Sequence, residues 1–247
     1  MNIDINKICY LFDVDGTLTN PREKITNSFK EEFKRWASGK QLFIGTGSDF
    51  AKTKQQLSQD VLNQFQLIFC CMGNETRNSA GVVLERNVFK DCQKLESDLE
   101  KFLTKSQFNV KTGRHLEYRT GMVNFSIVGR NANQQERKSY NKWDSKFKER
   151  EQIARYINEN YPNYEASIGG SISIDIIMKG KDKGQIIQHL TSKGIKKLVF
   201  LGDRCLPGGN DYGIIKEFNR SNLAFEWYQV SGPDHVLSLI KNNKVFF

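Results

Sequence analysis

The run Ile8-Cys9-Tyr10-Leu11-Phe12-Asp13-Val14-Asp15-Gly16-Thr17 is apolar for five residues and then turns acidic at once. So short an apolar stretch, with no polar alternation, reads as a strand buried on both faces, as in a parallel sheet covered by helices. Gly16 lets the backbone turn directly after it. Outward from this strand the same rhythm repeats. Residues 26–36 read as a helix, with Phe29, Phe33 and Trp36 at i, i+4 and i+7 on one face. Residues 41–44 form a second apolar run, broken at Gly45-Thr46-Gly47-Ser48, and a polar helical pattern extends to about Gln64. Residues 67–71 make a third strand. Strands alternating with helices predict an α/β fold built on a doubly wound parallel sheet.

The rhythm changes after that. A helix is expected over 91–103, sheet over 117–119 and 123–128, and a charged helix over 134–161 with a break near Asp144. Residues 169–177 alternate with period two, as a half-exposed antiparallel strand does. The first rhythm then resumes with a helix from Lys183, a strand over 197–201 and a loop over 202–210. The expected organisation is a core domain in two parts, 1–81 and 181–247, with an α+β cap domain, 82–180, inserted between them.

Composition excludes several classes. With 38% hydrophobic and 11% aromatic residues in 247, the chain can build cores and is not disordered throughout. No apolar run approaches the roughly 20 residues of a membrane helix. The opening residues lack the layout of a secretory leader, and five scattered cysteines read as reduced thiols, so a cytoplasmic location is expected. The net charge of +9 is not clustered and no basic-and-aromatic stripe is present, so an anionic small ligand is expected and nucleic acid is not.

Asp13 and Asp15 sit just past the carboxyl end of the first strand, where ligands of open α/β sheets bind. Around one oxygen-ligated Mg²⁺, one carboxylate can attack phosphorus to form an aspartyl-phosphate while the other shuttles a proton. Thr46, Gly47 and Ser48 follow the second strand and offer hydroxyls and backbone N–H groups to a phosphate, or simply cap a helix. Lys183 can supply a fixed positive charge. Asp203 and Asp211, around the Gly-rich loop after the late strand, add carboxylates for the metal. In the cap, Arg119, Arg130 and Arg137 can clamp a phosphate dianion, although surface arginines more often form salt bridges. Ser173 and Asp175 lie on one face of one strand and suit sugar hydroxyls.

In this order and on these strand ends, the motifs resemble the haloacid dehalogenase superfamily. With Leu18-Thr19-Asn20-Pro21-Arg22, the stretch from Arg119 to Arg137, Gly169 to Asp175 and Pro207-Gly208-Gly209-Asn210-Asp211, the chain resembles the eukaryotic-type phosphomannomutases over nearly its whole length. The resemblance implies that Asp13 is the nucleophile and Asp15 the acid/base, with Lys183 beside them. Mg²⁺ is implied at Asp13, Asp15, Asp203 and Asp211. Arg22, Arg119, Arg130, Arg137, Ser173 and Asp175 then match positions that bind the hexose phosphate, with a hexose 1,6-bisphosphate as activator and a homodimer as the assembly. Arg204 stands where the family usually has lysine, Glu217 falls where a second ion site usually has aspartate, and the last thirty residues match poorly. The expected activity interconverts mannose 6-phosphate and mannose 1-phosphate, feeding GDP-mannose. A sugar-phosphate phosphatase on the same scaffold is the first alternative, separated by whether phosphate or isomer is released. A catalytically silent binding protein is the second; it has no use for three acids at strand ends.

Overall fold

The computed structural model describes residues 3–90 and 92–242. The chain begins with β1 (Cys9–Phe12), α1 (Asn27–Ala37), β2 (Gln41–Gly45), α2 (Phe50–Gln56), α3 (Gln59–Leu62), β3 (Phe65–Cys70), β4 (Glu75–Arg77) and β5 (Val83–Arg86). It continues through α4 (Gln93–Lys105), β6 (Leu116–Arg119), β7 (Met122–Phe125), α5 (Gln134–Phe147), α6 (Glu149–Asn160), β8 (Tyr164–Gly169) and β9 (Ser173–Met178). It closes with α7 (Gln185–Ser192), β10 (Lys197–Gly202), α8 (Tyr212–Phe218), β11 (Ala224–Gln229) and α9 (Pro233–Lys241). Two compact units result, Met1–Arg86 with Lys181–Phe247, and Asn87–Gly180.

The first unit is a seven-stranded sheet in the order β11-β10-β1-β2-β3-β4-β5, parallel from β11 to β3 and antiparallel at β4 and β5. The unbroken apolar run of β1 has its explanation here. Tyr10 and Phe12 enter the core on one face of the sheet, and Cys9 and Leu11 enter a separate core on the other. Helix α1 begins at Thr26, whose hydroxyl accepts from the Phe29 N–H at 3.3 Å. Its Phe33 and Trp36 pack edge-on against Phe12, with centroids 5.5 and 5.9 Å apart. Because β1 lies between β10 and β2, the chain winds away from it in both directions, and the crevice past Phe12 is the switch point of the fold. The polar helical pattern before β3 is two short helices, α2 and α3. Strand β5, exposed at all four residues, closes the sheet edge, so the first unit runs to Arg86, past the boundary expected at 81.

The second unit has a four-stranded antiparallel sheet in the order β6-β7-β9-β8. Register puts Val123, Phe125, Ile174, Ile176 and Ala166 on one face, where they pack with Leu95, Leu99, Tyr140, Ile153 and Ile157 of the helices. The opposite face carries one polar row across the strands, Glu117, Asn124, Asp175 and Ser167. Three sequence expectations shift. The helix expected from Asp91, which lies outside the described residues, runs over Gln93–Lys105. The long charged helix is two, broken at Lys148, whose φ of 56° is left-handed. Asp144 organises that break: its carbonyl accepts from the Lys148 N–H at 2.7 Å and its carboxylate takes the Arg150 N–H and Nε at 2.9 and 2.8 Å. Residues 169–177 are not one strand but the last residue of β8, the turn and most of the second arm of the β8–β9 hairpin.

Candidate active site

Past β1 the ladder continues for one more bond, from the Asp13 N–H to the Leu201 carbonyl at 2.9 Å, and this fixes Asp13 at the switch point. Asp13 is buried. Lys183, fully buried, donates to Asp13 Oδ1 and to Asp211 Oδ1, both at 2.6 Å. Burial works to lower the Lys183 pKa, but the charges of Asp13 and Asp211 outweigh it and hold the ammonium charged. Burial pushes Asp13 up to about 7, Lys183 opposing and the Asp211 and Asp203 carboxylates adding to the rise. Burial, then Asp211, raises Asp203 as well.

Two glycines let these acids converge. A Cβ on Gly16, whose φ is +85°, would lie 2.6 Å from Asp203 Oδ2. A Cβ on Gly202 would lie 2.6 Å from Asp211 Oδ2. The result is a set of three carboxylates, Asp13, Asp203 and Asp211, each with an oxygen within 4.8 Å of the others'. Opposite ligands of an octahedral Mg²⁺ lie about 4.2 Å apart. Three acids around one lysine lack two positive charges, the deficit one divalent cation fills. Asp13 Oδ2, fully buried, has no hydrogen-bond partner among the described residues. Donor type, spacing and charge all fit a hard divalent ion.

Asp15 is placed differently from expectation. Its carboxylate does not join the cluster but accepts four hydrogen bonds: the Arg22 N–H and Gln56 Nε2 at 2.8 Å on Oδ1, Ser48 Oγ at 3.1 Å and Lys52 Nζ at 2.6 Å on Oδ2. Burial alone would raise its pKa, but the Lys52, Arg22 and Gln56 bonds outweigh burial and lower it. Asp15 is thus held as a carboxylate, the state of a general base. Thr46 is buried, its hydroxyl accepting from the Ser48 N–H at 3.1 Å, and the Asp49 carboxylate, not a threonine or serine, caps α2. Arg22 bends left-handed, with φ of 68°, to turn its N–H onto Asp15, and its side chain is exposed. Glu217, on α8, accepts from Gln188 at 3.1 Å and gathers with no acid pair; among the described residues the group around Asp13 is the one acidic cluster of metal-site size.

In the second unit, Arg119 Nε and Arg130 Nε donate to the two oxygens of Glu117, at 3.0 and 2.6 Å. Arg119 foremost, then Arg130, outweighs burial and holds Glu117 down at about 2. Arg137 is spent otherwise: its Nε and Nη2 donate to the carbonyls of Ala132 and Arg130 at 2.8 Å each, which shapes the loop carrying Arg130. Ser173 Oγ donates to the Gly169 carbonyl at 2.7 Å within its hairpin. Asp175 accepts from Asn124. Four participants escaped the sequence reading: Lys52, Gln56, Glu117 and Asn124. The first two stand one helical turn apart just after the Thr46-Gly47-Ser48 turn, a spacing that was legible; the others needed the strand register.

Solved structures share this fold, a parallel sheet with a separate antiparallel α+β unit. The chain aligns with a haloacid dehalogenase-like hydrolase from Bacteroides thetaiotaomicron at a TM-score of 0.59 and 11% identity, covering 96% of this chain and 100% of that one. A trehalose-6-phosphate phosphatase from Aspergillus fumigatus gives 0.58 and 13%, covering 96% and 92%. At such identities the likeness is one of fold: a haloacid dehalogenase-like core with an inserted α+β unit. Sequence goes further. The family described as eukaryotic phosphomannomutase matches residues 20–243. Phosphomannomutase 2 of Dictyostelium discoideum is 34% identical, over 100% of this chain and 99% of its own length. The chain belongs to the eukaryotic phosphomannomutase family. Among its described residues no helix is long and apolar enough to cross a membrane.

Proposed function

We propose that this chain interconverts mannose 6-phosphate and mannose 1-phosphate through an aspartyl-phosphate on Asp13 and a hexose 1,6-bisphosphate. The observation that carries the reading is the Asp13 carboxylate, fixed at the switch point with Oδ1 on Lys183 and Oδ2 left without a partner. That unpartnered oxygen is the one available to attack phosphorus. Mg²⁺ held by Asp13, Asp203 and Asp211 would supply Lewis-acid neutralisation of the transferring group's charge. Lys183 keeps the nucleophile oriented, and in the Thr46-Gly47-Ser48 turn the Thr46 hydroxyl and Gly47 N–H are assigned to the same phosphoryl oxygens, Ser48 being engaged on Thr46 and Asp15. Asp15 takes the proton from the attacking sugar hydroxyl when the phosphoryl group leaves Asp13, and returns it to the leaving oxygen in the opposite half-reaction.

A mutase must also hold a second phosphate that is not reacting and accept the sugar turned end for end. Arg119 and Arg130 are assigned that grip, with Arg22 as a further arginine and Arg137 shaping the loop. Asp175 and Ser173 are assigned to sugar hydroxyls. The reading carries with it a hexose 1,6-bisphosphate activator, a homodimer, a cytoplasmic location and a product used for GDP-mannose. The test is an assay of mannose 1-phosphate with and without glucose 1,6-bisphosphate, following mannose 6-phosphate and free phosphate together. Isomer formed faster than phosphate, and dependent on the bisphosphate, supports the mutase. Phosphate release without isomer would put a phosphatase in its place.

A further inference from the structure

The Glu117 carboxylate is shared by two arginines, one oxygen each, and both contacts use Nε. The remaining guanidinium nitrogens of Arg119 and Arg130 have no acceptor among the described residues. Two guanidiniums repel each other, and long side chains that are 39% and 20% exposed would splay into water unless something aligned them. One carboxylate between them does this, and it leaves their Nη edges as donors. Glu117 is itself fixed on β6, opposite Asn124 on β7, so its position is set by the sheet and not by a loop.

We propose that Glu117 is a positioning residue: it holds Arg119 and Arg130 side by side, with their Nε groups engaged, so that a phosphate dianion is met by two aligned Nη edges. The proposal rests on the phosphohexomutase reading for the identity of the anion, a sugar phosphate, but the alignment stands on this unit alone. Glu117 touches no reacting atom. A carboxylate in this place can have a second, opposite effect, because it competes with phosphate for the same cations. The geometry points to alignment over competition. Competition would have Glu117 fill the paired donors at the ends of the forks, whereas it takes only the nitrogen nearest each chain. The sign of one substitution separates the two.

The experiment measures mannose 1-phosphate binding by calorimetry, and KM and kcat of isomerisation, for the full chain and for Glu117→Gln and Glu117→Ala. Loss of a supporting partner behind a ligand-binding group typically weakens binding about 10-fold or more. The alanine variant is expected to raise both Kd and KM by roughly that factor, with kcat moving far less. Glutamine, which keeps the length and one acceptor oxygen, should fall between alanine and the parent. Thermal melting accompanies each variant, and if alanine fails to fold, glutamine carries the test. Unchanged or tighter binding in a folded variant overturns the proposal and makes Glu117 a bystander or a competitor. If the parent binds mannose 1-phosphate but does not isomerise it, the functional reading fails while the binding comparison still judges Glu117.

Discussion

Lys183 is the residue on which the site turns, because a fully buried ammonium persists only where acids surround it. Asp13 and Asp211 each accept from it at 2.6 Å, and removal of the lysine leaves buried carboxylates without their cation. Lys183→Met should therefore destabilise the chain by about 3–5 kcal/mol in the absence of divalent ion, visible as a lowered melting temperature. The Asp13→Asn substitution keeps shape but removes the attacking oxygen anion. Turnover should fall by at least about 10³-fold, on the scale of losing a catalytic group. A variant keeping a tenth of the parent's turnover would contradict the assignment. Proton and cation compete at Asp13. Burial lifts its pKa to about 7 in the absence of metal, so below that pH the proton must leave before a cation binds. Apparent Mg²⁺ affinity should rise with pH up to about 7, by as much as tenfold per pH unit, and then level off. Titrations giving the same affinity from about pH 6 to about pH 8 would remove Asp13 from the ligand set.

At the scale of single elements, what could be read from sequence followed burial. Strands β1, β2, β3 and β10 are buried almost throughout and declare themselves as apolar runs. β5, with Val83, Leu84, Glu85 and Arg86 all exposed, has no core face to impose a pattern, so its place on the core sheet was invisible and the boundary fell short of it. The hairpin hidden in 169–177 is missed for another reason: Gly170-Ser171-Ile172 continues the alternation of the following strand across what is a turn. The break in the long charged helix was felt four residues early, at Asp144, because Asp144 ties the break while Lys148 makes it. That tie yields a prediction. Lys148 sits left-handed at the end of α5, a conformation that costs a residue with a Cβ about 1 kcal/mol. Its exposed pair with Glu151 contributes little. Lys148→Gly should leave stability unchanged or raise it by up to about 1 kcal/mol, measured by denaturant titration; a loss above about 1 kcal/mol would show that the lysine side chain supports the corner.

For the whole molecule, the sequence announced the architecture through the interruption of one rhythm by another, and the acids it places past strand ends, Asp13, Asp203 and Asp211, are the ones that converge. The resemblance supplied the cap residues, which neither periodicity nor spacing could single out among so many charged side chains. What stayed hidden were the pairings themselves: Lys52 and Gln56 on Asp15 across the fold, and Glu117 shared between Arg119 on its own strand and Arg130 on a later loop. A division of labour between the units follows. Arg130→Ala should depress isomerisation of mannose 1-phosphate by roughly 10²–10⁴-fold, from about 3–5 kcal/mol for a charge-assisted pair. Hydrolysis of p-nitrophenyl phosphate, which has no second phosphate to hold, should fall much less. Equal losses on both reactions would make Arg130 a support of the fold.

The claim beneath all of these is that Asp13 carries the phosphoryl group between the two ends of one sugar. It is tested most directly by mixing the protein with glucose 1,6-bisphosphate, quenching, reducing any acyl-phosphate with borohydride and sequencing the peptide around β1. The account predicts homoserine at position 13 and nowhere else, absent when Asp13 is asparagine. Isomerisation running at full rate with no modified residue at position 13, or with the label on another side chain, would contradict it.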